Sequence, residues 1–270
     1  MKLSNYDFTT HQPYLEKNTS YREYLLNSNE LLFGNVWAAY QVDNFDKKKN
    51  IAFPDICMDL MVFYTPDKVH SYLVSGTESC RSMDNDFSFI KETQTIFGVK
   101  FYPGKINNFC DETLRDSGAM AIEAAYGLRK GKDTIKRIEN AESFEERWSI
   151  IKNYLCKCLC DDRTDPLVVY ATNSIIENRG NVRICDMEKK TGYTNRYLRK
   201  RFSESVGVSL KKFTEITKMQ WTYELYQKNK RMKMTDLAVE SGYYDQSHMN
   251  NTFKSLTGML PKDALNLYIA

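Results

Sequence analysis

The chain has 270 residues, 42% of them apolar and 27% charged, and a net charge of +3. That supplies a sizeable core, most simply divided between two domains, and excludes a disordered tail. No run of about 18 apolar residues occurs, the first ten residues lack a signal-peptide core, and seven cysteines show no disulfide-scaffold spacing, so the expectation is a cytoplasmic protein with reduced thiols and no membrane partner.

Residues 1 to about 115 read as mostly β. The clearest predicted strands are Phe53 to Tyr64, Val69 to Val74 and Ile96 to Tyr102. In the last, Phe97, Val99 and Phe101 alternate with Gly98, Lys100 and Tyr102 before a Pro103-Gly104 turn, the pattern of a strand with one face buried. Aromatic residues here, including Phe33, Trp37, Tyr40, Phe53, Phe63, Tyr64 and Tyr72, read as core more readily than as the lining of an apolar pocket. Residues 119 to 160 change to helical period. Ala119 to Leu128 is composed of good helix formers, and Phe144, Trp148, Ile151, Leu155 and Leu159 form one stripe on a longer helix, packed on the β-domain or on a second subunit. Asp161 to Pro166 reads as a linker.

The remaining hundred residues repeat one pattern. The first copy runs Thr191, Gly192, Tyr193, Thr194, then Leu198, Phe202 and Gly207; the second runs Ser241, Gly242, Tyr243, Tyr244, Asp245, then Met249, Phe253 and Gly258. Phe202 to Phe253 and Gly207 to Gly258 are both 51 apart. In each copy a helix stops at a Gly-Tyr turn, Thr or Asp caps the next, and that helix buries an apolar residue with a Phe four positions on. About seven helices are expected. A connector from the cap Ser209 to about Lys228 would span ~30 Å, near the ~34 Å of one DNA turn. Charge follows the repeats: Thr164 to Ala270 holds 17 Lys and Arg against 11 Asp and Glu, a net +6, while the rest holds 21 against 24.

These residues resemble the AraC/XylS family of bacterial transcription regulators, whose DNA-binding domain is a tandem helix-turn-helix. The stretch Gly242, Tyr243, Tyr244, Asp245, Gln246, Ser247 and His248, followed by Phe253, Lys254, Gly258 and Pro261, is very similar to the family's signature. The segments Phe53 to Leu60 and Phe97 to Gly104 are similar to the β-rich amino-terminal domain on one branch of the family, with Ile56 where that branch usually has Gly. The expected fold is therefore α+β. A β-rich domain over 1–118, for which a barrel is one form, leads through a helical extension and linker over 119–163 to an all-α tandem helix-turn-helix domain over 164–270.

On the first recognition helix Leu198 and Phe202 face inward, which assigns Asn195, Arg196, Arg199 and Lys200 to DNA, with Arg196 and Arg199 as base readers able to bind guanine through two hydrogen bonds. On the second, Met249 and Phe253 face inward, leaving Gln246, Ser247, Asn250, Asn251 and Lys254 for DNA. Asn251 stands where the family often has Arg. The resemblance implies a transcription regulator, more often an activator, with double-stranded DNA and RNA polymerase as partners, a small-molecule effector and a homodimer as further ones, and no cofactor. The rival is an enzyme, either a β-barrel catalyst or a thiol-based transferase with a DNA-targeting tail. Against it, the three histidines, His11, His70 and His248, are far apart in sequence. Cys156 and Cys160 would share a helix face that Cys158 leaves, so the three do not suit one metal ion.

Overall fold

The computed structural model describes residues 10, 12, 20–45, 53–77, 87–110, 121–159 and 165–266. Six strands, β1 (Tyr21–Leu25), β2 (Val36–Val42), β3 (Met58–Tyr64), β4 (Val69–Ser75), β5 (Thr95–Phe101) and β6 (Ala121–Glu123), form one antiparallel sheet in the order β1-β2-β5-β3-β4-β6. The three strands expected from sequence are β3, β4 and β5; Phe53 to Cys57 lead into β3 without joining the sheet. Two of the short segments differ from expectation. Residues 121–123 pair with Tyr72 to Val74 of β4, and only the single turn α1 (Ala124–Gly127) is helical, so sheet pairing overrides helix propensity. A further helix, α2 (Lys132–Glu139), precedes α3 (Phe144–Cys158), the long helix foreseen.

One face of the sheet is covered by α2 and α3. Leu60, Val62, Phe97, Val99 and Phe101 pack there with Ile135, Phe144, Trp148, Ile151 and Leu155, so the stripe on α3 is used within the chain. Ser143 caps α3, its side chain accepting from the Glu146 amide. The other face is buried as well, which corrects the expectation of a half-buried β5: Ile96 to Phe101 are all buried. Lys100 is tolerated there because its Nζ lies 2.5 Å from Asp55 Oδ2 and 3.7 Å from Asp59 Oδ2. Tyr40 donates to Asp59 Oδ2 at 2.8 Å, whereas Asp59 Oδ1 is buried with no partner. Burial, opposed by Lys100, raises the Asp59 carboxyl to about 6.

Asp55 belongs to a strap, residues 53–57, that crosses this second face. Its Oδ1 accepts from the Cys57 amide, and its own amide donates to Gly76 O. From the amino-terminal side, Gln12 brackets Phe53, donating to its carbonyl at 2.7 Å and accepting from its amide at 3.0 Å.

Seven helices follow among the described residues: α4 (Pro166–Glu177), α5 (Ile184–Thr191), α6 (Asn195–Val206), α7 (Leu210–Lys228), α8 (Met234–Glu240), α9 (Gln246–Thr257) and α10 (Pro261–Asn266). Asp165 caps α4 and Pro166 takes its first position, so the end of the expected linker is a helix start; residues 161–164 lie outside the described residues. The strap joins the two halves. The Phe53 ring packs 5.7 Å from Tyr223 of α7, and Gln220 of α7 donates to Pro54 O at 2.8 Å. A second contact runs from Asn107 to Ser205 O at the end of α6, 2.6 Å. One apolar core accordingly continues from Tyr40, Phe53 and Phe63 to Phe213, Ile216 and Tyr223.

No helix among the described residues is long and apolar enough to cross a membrane. Cys156 and Cys158 sit half-buried on α3, and burial pushes the Cys156 thiol up, away from the reactive thiolate; Cys160 lies outside the described residues.

Candidate nucleic-acid interface

Each helix-turn-helix unit is built from a left-handed glycine and a side-chain cap. In the first, α5 stops at Gly192, φ +75°, and Thr194 Oγ1 accepts from the Tyr197 amide to start α6. Leu198 and Phe202 are fully buried, with Phe202 edge-on to Phe213 of α7 at 5.2 Å. In the second, α8 gives way to Gly242, φ +83°, and Asp245 caps α9 by accepting from the His248 amide at 2.7 Å. Met249 and Phe253 are fully buried. Gly242 cannot be replaced without cost, because a Cβ there would meet the Asn181 carboxamide oxygen at 1.8 Å.

The two turns differ by one residue. Tyr193 alone separates Gly192 from its cap and is half-exposed, stacked on Tyr197 at 5.1 Å. Two residues separate Gly242 from its cap, and the extra length lets Tyr243 turn inward while Tyr244 stands 89% exposed. The doubled Tyr243-Tyr244 was the available signal in the sequence.

On α6, Arg196, Arg199 and Lys200 are exposed. Among the described residues Arg196 has no ion-pair or hydrogen-bond partner, and Lys200 makes only a loose 3.8 Å pair with Glu204. Asn195 is half-buried on that same side. Its amide donates to the Glu188 carboxylate of α5, and its Oδ1 accepts from Arg199 Nε at 2.5 Å. Only its backbone amide is tied to α5; its side chain lies beside Arg199, one turn earlier on the same face. The bond to Nε leaves both terminal nitrogens of Arg199 in a fixed plane for a bidentate contact.

Arg201, the remaining cation of α6, is partly exposed but engaged within the chain. Its Nε and Nη2 both reach Asp165 Oδ2, at 2.9 and 2.8 Å, which ties α6 to the α4 cap and raises the Arg201 pKa. Sequence reading missed this because the partners are far apart along the chain. On α9, Ser247, Asn251 and Lys254 are exposed, whereas Gln246 and Asn250 are half-buried. His248 is exposed with its ring edge-on to Tyr243, and its Nδ1 accepts from the Tyr244 amide at 3.4 Å.

Between the units runs α7, capped by Ser209 accepting from the Lys212 amide. Its 19 residues make a rod of about 28 Å, and Leu210, Phe213, Ile216, Met219, Tyr223 and Tyr226 are buried along it. Two capped helices with exposed cationic or amide side chains, held on one rod, define a two-headed helix-turn-helix DNA-binding domain.

Comparison with known proteins agrees with that class. Residues 187–266 match the family described as "Helix-turn-helix domain", and this carboxy-terminal part of the chain is a helix-turn-helix domain of the AraC type. No curated protein matches the chain. Among solved structures, the carboxy-terminal domain of AraT, a response regulator from Geobacillus stearothermophilus, is 19% identical over 38% of this chain and 87% of its own, with a TM-score of 0.36. The xylose-binding transcription activator XylR is 19% identical over 41% of this chain, which spans only 29% of that one, with a TM-score of 0.33. ToxT from Vibrio cholerae O395 is 13% identical over 92% of this chain and 98% of its own, with a TM-score of 0.43.

Proposed function

We propose that the protein is a sequence-specific transcription regulator that binds double-stranded DNA through α6 and α9. The observation that carries this reading is the duplicated unit itself: two recognition helices, each with its apolar face buried and its polar face exposed, fixed to a common rod. In this reading Arg196 and Arg199 of α6 contact bases, Asn195 positions Arg199, and Lys200 neutralises phosphate. Gln246, Ser247, Asn250, Asn251 and Lys254 supply the second contact, which is weaker because Lys254 is the sole cation among them.

The boundary near residue 164 fits the start of α4 at Pro166, whereas β6 lies beyond 118 and belongs with the sheet. The β-rich part serves as the effector or dimerisation module, and the regulator works beside RNA polymerase at a promoter. The strap at residues 53–57 supports a path from that module to the DNA, since it touches the sheet's buried ion pair on one side and α7 on the other. Selection of bound sites from random DNA by the purified full chain tests the function. A selected sequence in two parts, each reached by one head, is the expected result, and no enrichment over many rounds would refute it.

A further inference from the structure

The two heads leave a cleft between them. It has a volume of about 330 Å³, with α7 as its floor, Arg199 of α6 on one wall, and Tyr243 and His248 of the second unit on the other. Lys211 and Lys218 of α7 also line it, and Glu215 is the single carboxylate in the lining. Glu215 lies 3.5 Å from Lys211, so its charge is already engaged. Arg199 spends its Nε on Asn195 and keeps its terminal nitrogens.

Lys218 is the informative group. It is half-buried, its Nζ donates to Gly242 O at 2.8 Å and sits 5.3 Å from the Tyr243 ring centroid, and no carboxylate among the described residues lies within ion-pair distance. Burial lowers its pKa, with Glu215 opposing only in part. An ammonium has three donors, and a partly desolvated cation is costly unless an anion meets it. Lys218 has no such anion among the described residues, because the one carboxylate in the lining is engaged by Lys211.

We propose that the cleft between the heads is a binding site for an oxyanion of the phosphate class, with Lys218 as its central cation and Lys211 at its rim. Two sources share that chemistry. A backbone phosphate of the DNA spacer would reach the cleft as the duplex passes from one head to the other, and this source rests on the regulator reading. A free phosphate-bearing small molecule is the other, and it does not.

The test uses the full chain in two arms. In the first, inorganic phosphate is titrated at constant ionic strength and the melting temperature is followed. In the second, a selected operator carries single uncharged methylphosphonate linkages walked across the spacer. A phosphate-dependent rise in melting temperature, absent in Lys218→Met, supports the site with a free ligand. A loss of about tenfold in affinity from one central uncharged linkage, absent in Lys218→Met, supports it with DNA as the source. Lys211→Met, at an exposed rim position, must weaken the same response and keeps the test decisive if Lys218→Met fails to fold. Insensitivity in both arms overturns the proposal. If the chain binds no DNA at all, the regulator reading fails, and the phosphate arm alone decides the anion site.

Discussion

Replacing Asp59 by Asn should stabilise the protein at neutral pH, and the size of the effect follows from the buried charges of the β-sheet. Asp55, Asp59 and Lys100 are withdrawn from water together, and Lys100 is closest to Asp55, so Asp59 is the carboxylate in excess. Its carboxyl is raised from 3.8 to about 6, by burial first. A raised folded-state pKa means that folding favours the protonated form. The stability so gained is complete below about 3.8, is lost as pH rises through about 6, and is absent at pH 7. A shift of about two units corresponds to about 3 kcal/mol, and because Asp59 is only 8% exposed, solvent screens little of it. The carboxamide of Asp59→Asn would keep an oxygen for the Tyr40 hydroxyl, but its NH2 would stand at the unpartnered Oδ1 position at a cost of ~1–3 kcal/mol. The net expectation is a gain of about 0–2 kcal/mol at pH 7, and the difference between the two proteins falls by about 2–3 kcal/mol as pH drops to about 4. Urea unfolding of both proteins at about pH 4.5, 5.5 and 7 measures it. Subtracting the wild-type curve removes the opposing contributions of His70, lowered by burial, and of Asp43 and Glu30, also lowered, since these are common to both proteins. Loss of stability at pH 7 in Asp59→Asn, or a difference that stays flat between about pH 4 and 6, would refute the reasoning.

On the DNA side, Arg196→Ala and Arg199→Ala should each cost ~1–3 kcal/mol and relax preference at particular bases, while Lys200→Ala weakens all sequences alike; equal losses on selected and scrambled DNA would reduce α6 to a backbone contact. Asn251→Arg should tighten binding and steepen its salt dependence, read from titrations at several salt concentrations. Gly242→Ala combines a left-handed backbone with the Asn181 clash and should cost about 1–3 kcal/mol, of which Asn181→Ala relieves only the steric share in the double variant. A fragment from residue 164 to 270 should fold and bind selected DNA with salt sensitivity, and a soluble helical fragment with no such binding would count against the assignment.

The repeats were legible because everything that builds them is local. A glycine, a cap three residues before the amide it accepts from, and an apolar residue four positions before a Phe all fall within one or two helical turns, where spacing alone decides geometry. Residues 121–123 escaped that logic, since their partners on β4 are some fifty positions away and pairing outweighed a helical composition. Lys100 looked like the solvent side of an alternating strand until Asp55 and the strap were seen above it.

The connector α7 explains why the contact between the halves was not legible in the pattern. A helix exposed on one side advertises its buried face by period, but Phe213 packs on the first unit, Lys218 reaches the second, and Gln220 and Tyr223 meet the strap from the β-domain. Three partners on different faces bury Thr217, Gln220 and Thr222 beside the apolar residues and flatten the amphipathic contrast. The polar members are admitted because each finds a carbonyl: Thr217 that of Phe213, Thr222 that of Lys218, and Gln220 that of Pro54. The first two bonds are internal to α7 and would survive alone. The third leaves the helix, so the rod that spaces the reading heads is joined to the β-domain by a hydrogen bond whose acceptor lies one residue from Asp55, the carboxylate that holds Lys100.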